Sequence, residues 1–272
     1  MFSNHKDPLL GFKELINNTS QERFHLDEVS FQISSYLGSD IVPVQGCIIL
    51  DDLAKQFSGN TLADLSRFIF LNLGFKANKE NDYDYQNYLL DHLLRSKVGI
   101  SLTLGIVILE IGRRINLNLA GVTMPGHFLV KQLQGPSFIL DPLEAKFLSL
   151  EQCRNLFYTS QGPNAKFHTS YLDPVGAHKI ISQILAGLRN SLLASKNIYL
   201  LDKVLNLMFL VPNNDSNYNQ FVSDLHQLAN LEISSGLFAQ AASHLDQVVE
   251  LAIPSVADKA RVKALQLRAK LN

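Results

Sequence analysis

The chain has 272 residues, with 24 Lys and Arg against 25 Asp and Glu, for a net charge of −1 at pH 7. At roughly 150 residues per domain this makes one large domain or two modest ones. A composition 46% hydrophobic and 18% charged excludes a disordered polymer. Balanced charge argues against a dedicated nucleic-acid binder, which needs a basic face. Two cysteines, Cys47 and Cys153, are too few for a disulfide framework or a cysteine zinc site.

The first sixteen residues are interrupted by Asp7, Pro8, Lys13 and Glu14, so no signal-peptide apolar core is expected there. Residues 9 to 75 read as helices separated by short polar breaks. Asp51 to Phe57 and Leu62 to Leu73 carry apolar side chains at spacings of three and four, the helical period. Ser58-Gly59-Asn60 breaks the first, Asn60 or Thr61 can cap the second, and Gly74 can end it. Asn78 to Asn87 is polar and loop-like, and Tyr88 to Lys97 reads as a helix.

Gly99 to Gly112 is the longest apolar stretch, at 14 residues with Glu110 inside it. A membrane span needs about 20 apolar residues, so this is a buried helix and no membrane association is expected. From Ser101 to Ile115 its residues are apolar on every side, which places the helix in the middle of a domain. Ser101 is read as its N-cap. Glu110 with Arg113 and Arg114 has the spacing of in-helix ion pairs.

The period then changes. Leu117 to Thr123, His127 to Leu133 and Ser137 to Leu140 are short and β-prone, separated by Pro125-Gly126 and Gly135-Pro136, as in a small antiparallel meander. Helices, a central helix and then strands make an α+β arrangement. From Ala177 the chain is helical again. Leu201 to Pro212 and Ala241 to Pro254 echo each other, each an amphipathic helix followed by a proline. The turn at Gly236 before Ala241 and Ala242 is of the tetratricopeptide kind.

The stretch from Asn81 to Pro142 carries a resemblance. Its strongest elements are Gly99-Ile100, Glu110-Ile111-Gly112-Arg113-Arg114, Pro125-Gly126-His127-Phe128 and Asp141-Pro142. On these the chain resembles the bacterial SirB family, in which a transglutaminase-like core precedes a tetratricopeptide segment. The resemblance implies a papain-like core with a central buried helix and a small antiparallel sheet. It assigns residues 1–80 to an N-terminal helical segment, 81–172 to the core and 173–272 to helical repeats. It also implies that Asn87, Gly99, Glu110, Arg113, Pro125, Gly126 and Phe128 surround a cleft at His127, in roles more structural than chemical.

In that superfamily a cysteine starts the buried helix, a histidine lies on a following strand and an aspartate on the next. By resemblance His127 and Asp141 match the last two, while Ser101 stands at the position of the cysteine, or Thr103 if the register slips. A helix dipole contributes at most about 2 kcal/mol, roughly 1.5 pKa units, which ionises an acidic thiol but leaves a hydroxyl protonated. A serine would need His127 as general base and an oxyanion hole. Cys153 follows Asp141 in the chain, whereas the superfamily nucleophile precedes its histidine. The expected protein is therefore a cytoplasmic, non-enzymatic interaction module that binds a protein or peptide through its C-terminal repeats, without cofactor, metal or nucleic acid. The alternative is a hydrolase or acyltransferase built on Ser101 or Thr103, His127 and Asp141.

Overall fold

The computed structural model describes residues 8–17, 25–78, 84–135, 138–212 and 216–271. Most of the expected polar loop after Asn78, and Pro136 and Ser137 of the expected turn, lie outside the described residues. The chain forms two compact units, 1–184 and 185–272.

The first unit opens with α1 (Pro8–Asn17), α2 (Leu26–Tyr36) and α3 (Pro43–Gln56). α4 (Leu62–Arg67) is capped by Thr61, whose hydroxyl oxygen accepts from the Asp64 amide at 3.0 Å. It runs on as a π-helical turn, Phe68–Asn72, and the chain leaves it through Gly74 at φ +74°. β1 (Lys76–Ala77) pairs in parallel with β2 (Val98–Gly99), and α5 (Leu90–Ser96) lies between them in sequence.

That short pairing decides where the central helix begins. With Val98 and Gly99 held in extended conformation, Ile100 is the residue that turns the chain, at φ −92° and ψ 168°. It is therefore the N-cap, and Ser101 is the first helical residue of α6 (Ser101–Arg114), not the capping residue expected from its type. Every residue from Leu102 to Gly112 is buried, as an all-round apolar helix requires.

β3 (Leu119–Met124), β4 (His127–Gln132), β5 (Ile139–Asp141), β6 (Lys146–Leu148) and β7 (Pro174–Val175) form an antiparallel sheet in the order β6-β5-β4-β3-β7. The β3–β4 hairpin closes through Pro125-Gly126, with Met124 opposite His127. Gly126 has φ +83°, backbone that side-chain-bearing residues avoid. α6 packs close against this hairpin. A Cβ on Gly105 would fall 2.4 Å from the Phe128 ring, and one on Gly112 2.6 Å from Leu119. These glycines are seven residues apart, two turns on one face.

The other face of the sheet is covered by α7 (Leu150–Gln161), which starts with a reciprocal cap between Ser149 and Gln152. There Cys153 and Phe157 join Val122, Met124, Leu129, Ile139 and Leu172 in one apolar cluster. α8 (Ala177–Ala194) carries the boundary between the units.

The second unit continues with α9 (Ile198–Leu210), α10 (Ser216–Ser234), α11 (Phe238–Leu251) and α12 (Pro254–Ala269). Two of its turns are built alike. The Asn197 amide donates back to Leu192 O at 3.0 Å, across Lys196 at φ 54°. The Leu237 amide donates back to Glu232 O at 2.9 Å, across Gly236 at φ +77°. Both are helix stops in which a left-handed residue lets the next amide reach a carbonyl five residues earlier. Buried Ala241 and Ala242 on α11, with Ala260 and Ala264 on α12, provide small contact surfaces between helices.

Candidate functional site: His127 and Asp141

Strand pairing brings His127 and Asp141 together. Val130 lies opposite Leu140 and Lys131 opposite Ile139, so Asp141 falls beside Leu129. Alternation along β4 puts His127 and Leu129 on the face that carries Met124 and α7, and Phe128 on the face against α6. Fourteen residues of sequence thus shrink to neighbouring strands, as the spacing implied.

The two groups differ in surroundings. Asp141 is buried and His127 half-buried. Burial raises the Asp141 pKa, opposed by the Leu143 amide donating to Oδ1 at 2.9 Å, by His127 and by the Glu144 amide. Burial lowers the His127 pKa, opposed by the charge of Asp141. Burial thus disfavours the charged form of each group, and each partly offsets that for the other. Asp141 also performs the ordinary work of a turn aspartate, holding the backbone that enters β6.

Neither hydroxyl is hydrogen-bonded to this pair among the described residues. Ser101 makes no hydrogen bond to His127 among the described residues. The Thr103 hydroxyl is fully buried and donates to Asn87 O at 3.1 Å, so it is committed to holding the chain before α5. Asn87 is itself held by the Asn78 side-chain amide at 2.9 Å. A Cβ on Gly99 would fall 2.9 Å from Thr103 Oγ1, which leaves room for glycine alone. Asn87, Gly99 and Thr103 are a packed joint at the start of α6.

Cys153 lies on the Asp141 side of the sheet. Burial and then the Asp141 charge raise its thiol pKa, so it is a packed thiol, not a thiolate. Cys47 sits on α3, its thiol pushed up to about 12 by burial, with Asp27 and Glu28 adding to the effect. Neither cysteine supplies the missing sulfur.

Pro125 and Gly126 do adjoin the histidine. The Ser160 hydroxyl at the end of α7 donates to Pro125 O at 3.2 Å, and a Cβ on Gly126 would meet Ser160 at 2.8 Å. Glu110 and Arg113, expected around the same cleft, belong elsewhere. Arg113 Nε donates to Glu110 Oε2 at 2.8 Å, and Glu110 Oε1 accepts from the Leu26 amide at 2.9 Å. Arg114 donates to Asp51 at 2.6 Å, to Glu110 at 3.1 Å and to Asp27 at 2.5 Å. α6 is long enough to separate its two ends by about 20 Å, so one helix serves two sites. Burial and Asp27 raise the Glu110 pKa against the pull of both arginines. The sequence showed the in-helix pairs, but nothing in it marked Asp27 and Asp51 as their partners.

Among the described residues no group of three or more His, Cys, Asp and Glu is placed to hold a metal ion. No helix of the described residues is long and apolar enough to cross a membrane.

A buried helix packed on an antiparallel sheet, with histidine and aspartate on neighbouring strands, is the architecture of a transglutaminase-like core. The chain matches the transglutaminase-like superfamily over residues 23–186, more than half its length, and belongs to that superfamily. It is similar to a UPF0162 protein of Xylella fastidiosa (strain 9a5c), 28% identical over 134 residues that cover 47% of this chain and 48% of that protein. A UPF0162 protein of Pseudomonas aeruginosa is 31% identical over 116 residues, 43% of each. One from Vibrio cholerae is 28% identical over 130 residues, 47% of this chain and 48% of its own. The chain spans about half the length of the curated relatives it matches. No solved structure matches it.

Proposed function

We propose that the chain is a non-catalytic protein-interaction or regulatory protein of the cytoplasm, in which a transglutaminase-like core has lost its nucleophile and tetratricopeptide-like helices hold a protein or peptide partner. The observation that carries this reading is the state of the attacking position. Ser101 lies at the N-terminus of a buried helix, where the dipole is too weak to ionise a hydroxyl, and it has no hydrogen bond to His127 among the described residues. Thr103 spends its hydroxyl on Asn87.

The interaction half of the reading is supported by the second unit. Its two matched turns at Lys196 and Gly236 are 40 residues apart, close to the offset of the echoed segments, whose first residues are 40 apart and whose prolines are 42 apart. Stacked helix pairs offer an extended surface suited to peptides. No nucleic-acid partner is included, because the net charge is −1.

The deciding experiment is labelling of the purified chain with a serine-directed fluorophosphonate, in wild type, Ser101→Ala and His127→Ala. The expected result is no adduct at Ser101 in any of them. A wild-type adduct that both substitutions abolish would instead establish the hydrolase or acyltransferase built on Ser101, His127 and Asp141. That alternative keeps one favourable observation, the His127 imidazole close enough to the buried Asp141 carboxylate for their charges to favour one another.

A further inference from the structure

Where α5 packs on α2, three buried side-chain atoms have no hydrogen-bond partner among the described residues: Ser30 Oγ, Ser34 Oγ and Asp91 Oδ1. Their residues are 3%, 0% and 0% exposed. Native proteins leave few such atoms, because each has given up its hydration without replacing it.

The serines had a local remedy. A helical hydroxyl ordinarily donates to the carbonyl four residues back, as Ser96 does to His92 O at 2.9 Å and Thr159 to Asn155 O at 3.0 Å. Ser30 and Ser34 make no such bond, so both hydroxyls are turned away from their own backbone. Spaced by four residues, they share one face of α2.

Asp91, in the first turn of α5, is brought to the same region. The Ser39 amide donates to Ser34 O at 3.0 Å, and the Ser39 hydroxyl donates to Asp91 Oδ2 at 2.5 Å. The carboxylate therefore lies against the end of α2 at which Ser34 stands. Arg95 donates to the same Oδ2 at 2.7 Å and offsets its charge. That leaves Oδ1, which can only accept.

We propose that Ser30, Ser34 and Asp91 hold one internal water molecule between α2 and α5. The hydrogen bonds close around it. The water accepts from both serine hydroxyls on its two lone pairs and donates a proton to Asp91 Oδ1. Three bonds are the usual number for a buried water. A metal cation would bring a second positive charge to a carboxylate that Arg95 already neutralises. The water ties α2 to the first turn of α5, the helix that leads through β2 into α6. It involves neither His127 nor the repeat helices, so it stands or falls separately from the reading above.

The test combines a high-resolution crystal structure of the full chain with urea unfolding of Ser30→Ala, Ser34→Ala and the double variant. The expected map has one spherical peak within about 3.2 Å of Asp91 Oδ1 and of both hydroxyls. Each single substitution is expected to raise the unfolding equilibrium constant roughly fivefold, as for one lost hydrogen bond. The double variant should fall short of the product of the two, because the water is lost with the first hydroxyl. Far-UV circular dichroism checks that each variant folds. Stabilisation by Ser34→Ala would overturn the proposal, since alanine then removes only the desolvation cost of a hydroxyl without a partner. So would effects that multiply in full, or a map in which the hydroxyls donate to their own helix carbonyls. Contacts of about 2.4 Å, with a thermal midpoint higher in sodium chloride than in choline chloride, would also overturn it by placing a cation there.

Discussion

Replacing Arg114 by methionine tests whether the charge cluster at the end of α6 holds α2, α3 and α6 together. The guanidinium is only 10% exposed and contacts Asp27, Asp51, Glu110 and the Cys47 carbonyl. Asp27 and Glu110 have side chains 1% and 4% exposed, so removing Arg114 strands two buried acids. Breaking a buried pair in this way costs about 3–5 kcal/mol. Arg113 remains 2.8 Å from Glu110 and 3.8 Å from Asp27, which holds the loss near the lower end, about 3 kcal/mol. Asp51 provides the internal contrast, because its side chain is half-exposed and its pairing with Arg114 is screened. Asp51→Asn should cost about 1 kcal/mol or less. Urea unfolding followed by far-UV circular dichroism gives both values, and exchange of the Leu26 amide, which donates to Glu110, localises the opening. The reasoning fails if Arg114→Met costs no more than Asp51→Asn, or if Leu26 exchange is unchanged.

Three further outcomes are expected. His244 on α11 lies between Glu232 at 2.9 Å and Asp202 at 3.2 Å, and these carboxylates raise its pKa to about 9 against the opposing effect of burial. Because the folded pKa is above the unfolded value near 6.5, the stability it contributes is complete below pH 6.5 and is lost as pH rises through about 9; the upper bound is roughly 3 kcal/mol, reduced by the exposure of Asp202. Unfolding midpoints should therefore fall between pH 6.5 and 9.5 in the wild type and stay flatter in His244→Gln. Gly105→Ala should destabilise the first unit by about 1–3 kcal/mol, since its Cβ would sit 2.4 Å from the Phe128 ring, and Phe128→Leu should recover part of that loss in a thermal-unfolding double-mutant cycle. Thr61→Ala should cost about 1 kcal/mol through its lost cap, while Ser101→Ala should stay within about 0.5 kcal/mol in the same denaturation assay, because Ile100 holds the N-cap position of α6.

Local rules carried the order of elements. Thr61 and Gly74 bound their helix as side-chain capping and glycine backbone freedom require, and the apolar run from Leu102 to Gly112 is buried throughout. Pro125-Gly126 makes the hairpin because its turn needs a positive φ that glycine supplies. The juxtaposition of His127 with Asp141 was also legible, through resemblance and through a spacing that suits adjacent strands. Ser101 was misread because serine's local capping preference gave way to a pairing with Lys76 and Ala77, more than twenty residues away.

What composition and periodicity settled by themselves was the α+β order, the buried helix and the absence of sulfur at its start. Tertiary structure alone decided which groups meet. It sent Arg113 to Asp27, Arg114 to Asp27 and Asp51 and Glu110 to the Leu26 amide, and gave Thr103 to Asn87. Periodicity tells which side of a helix is apolar, but a charge finds its partner only when distant segments are packed, and its energy depends on the burial that packing creates.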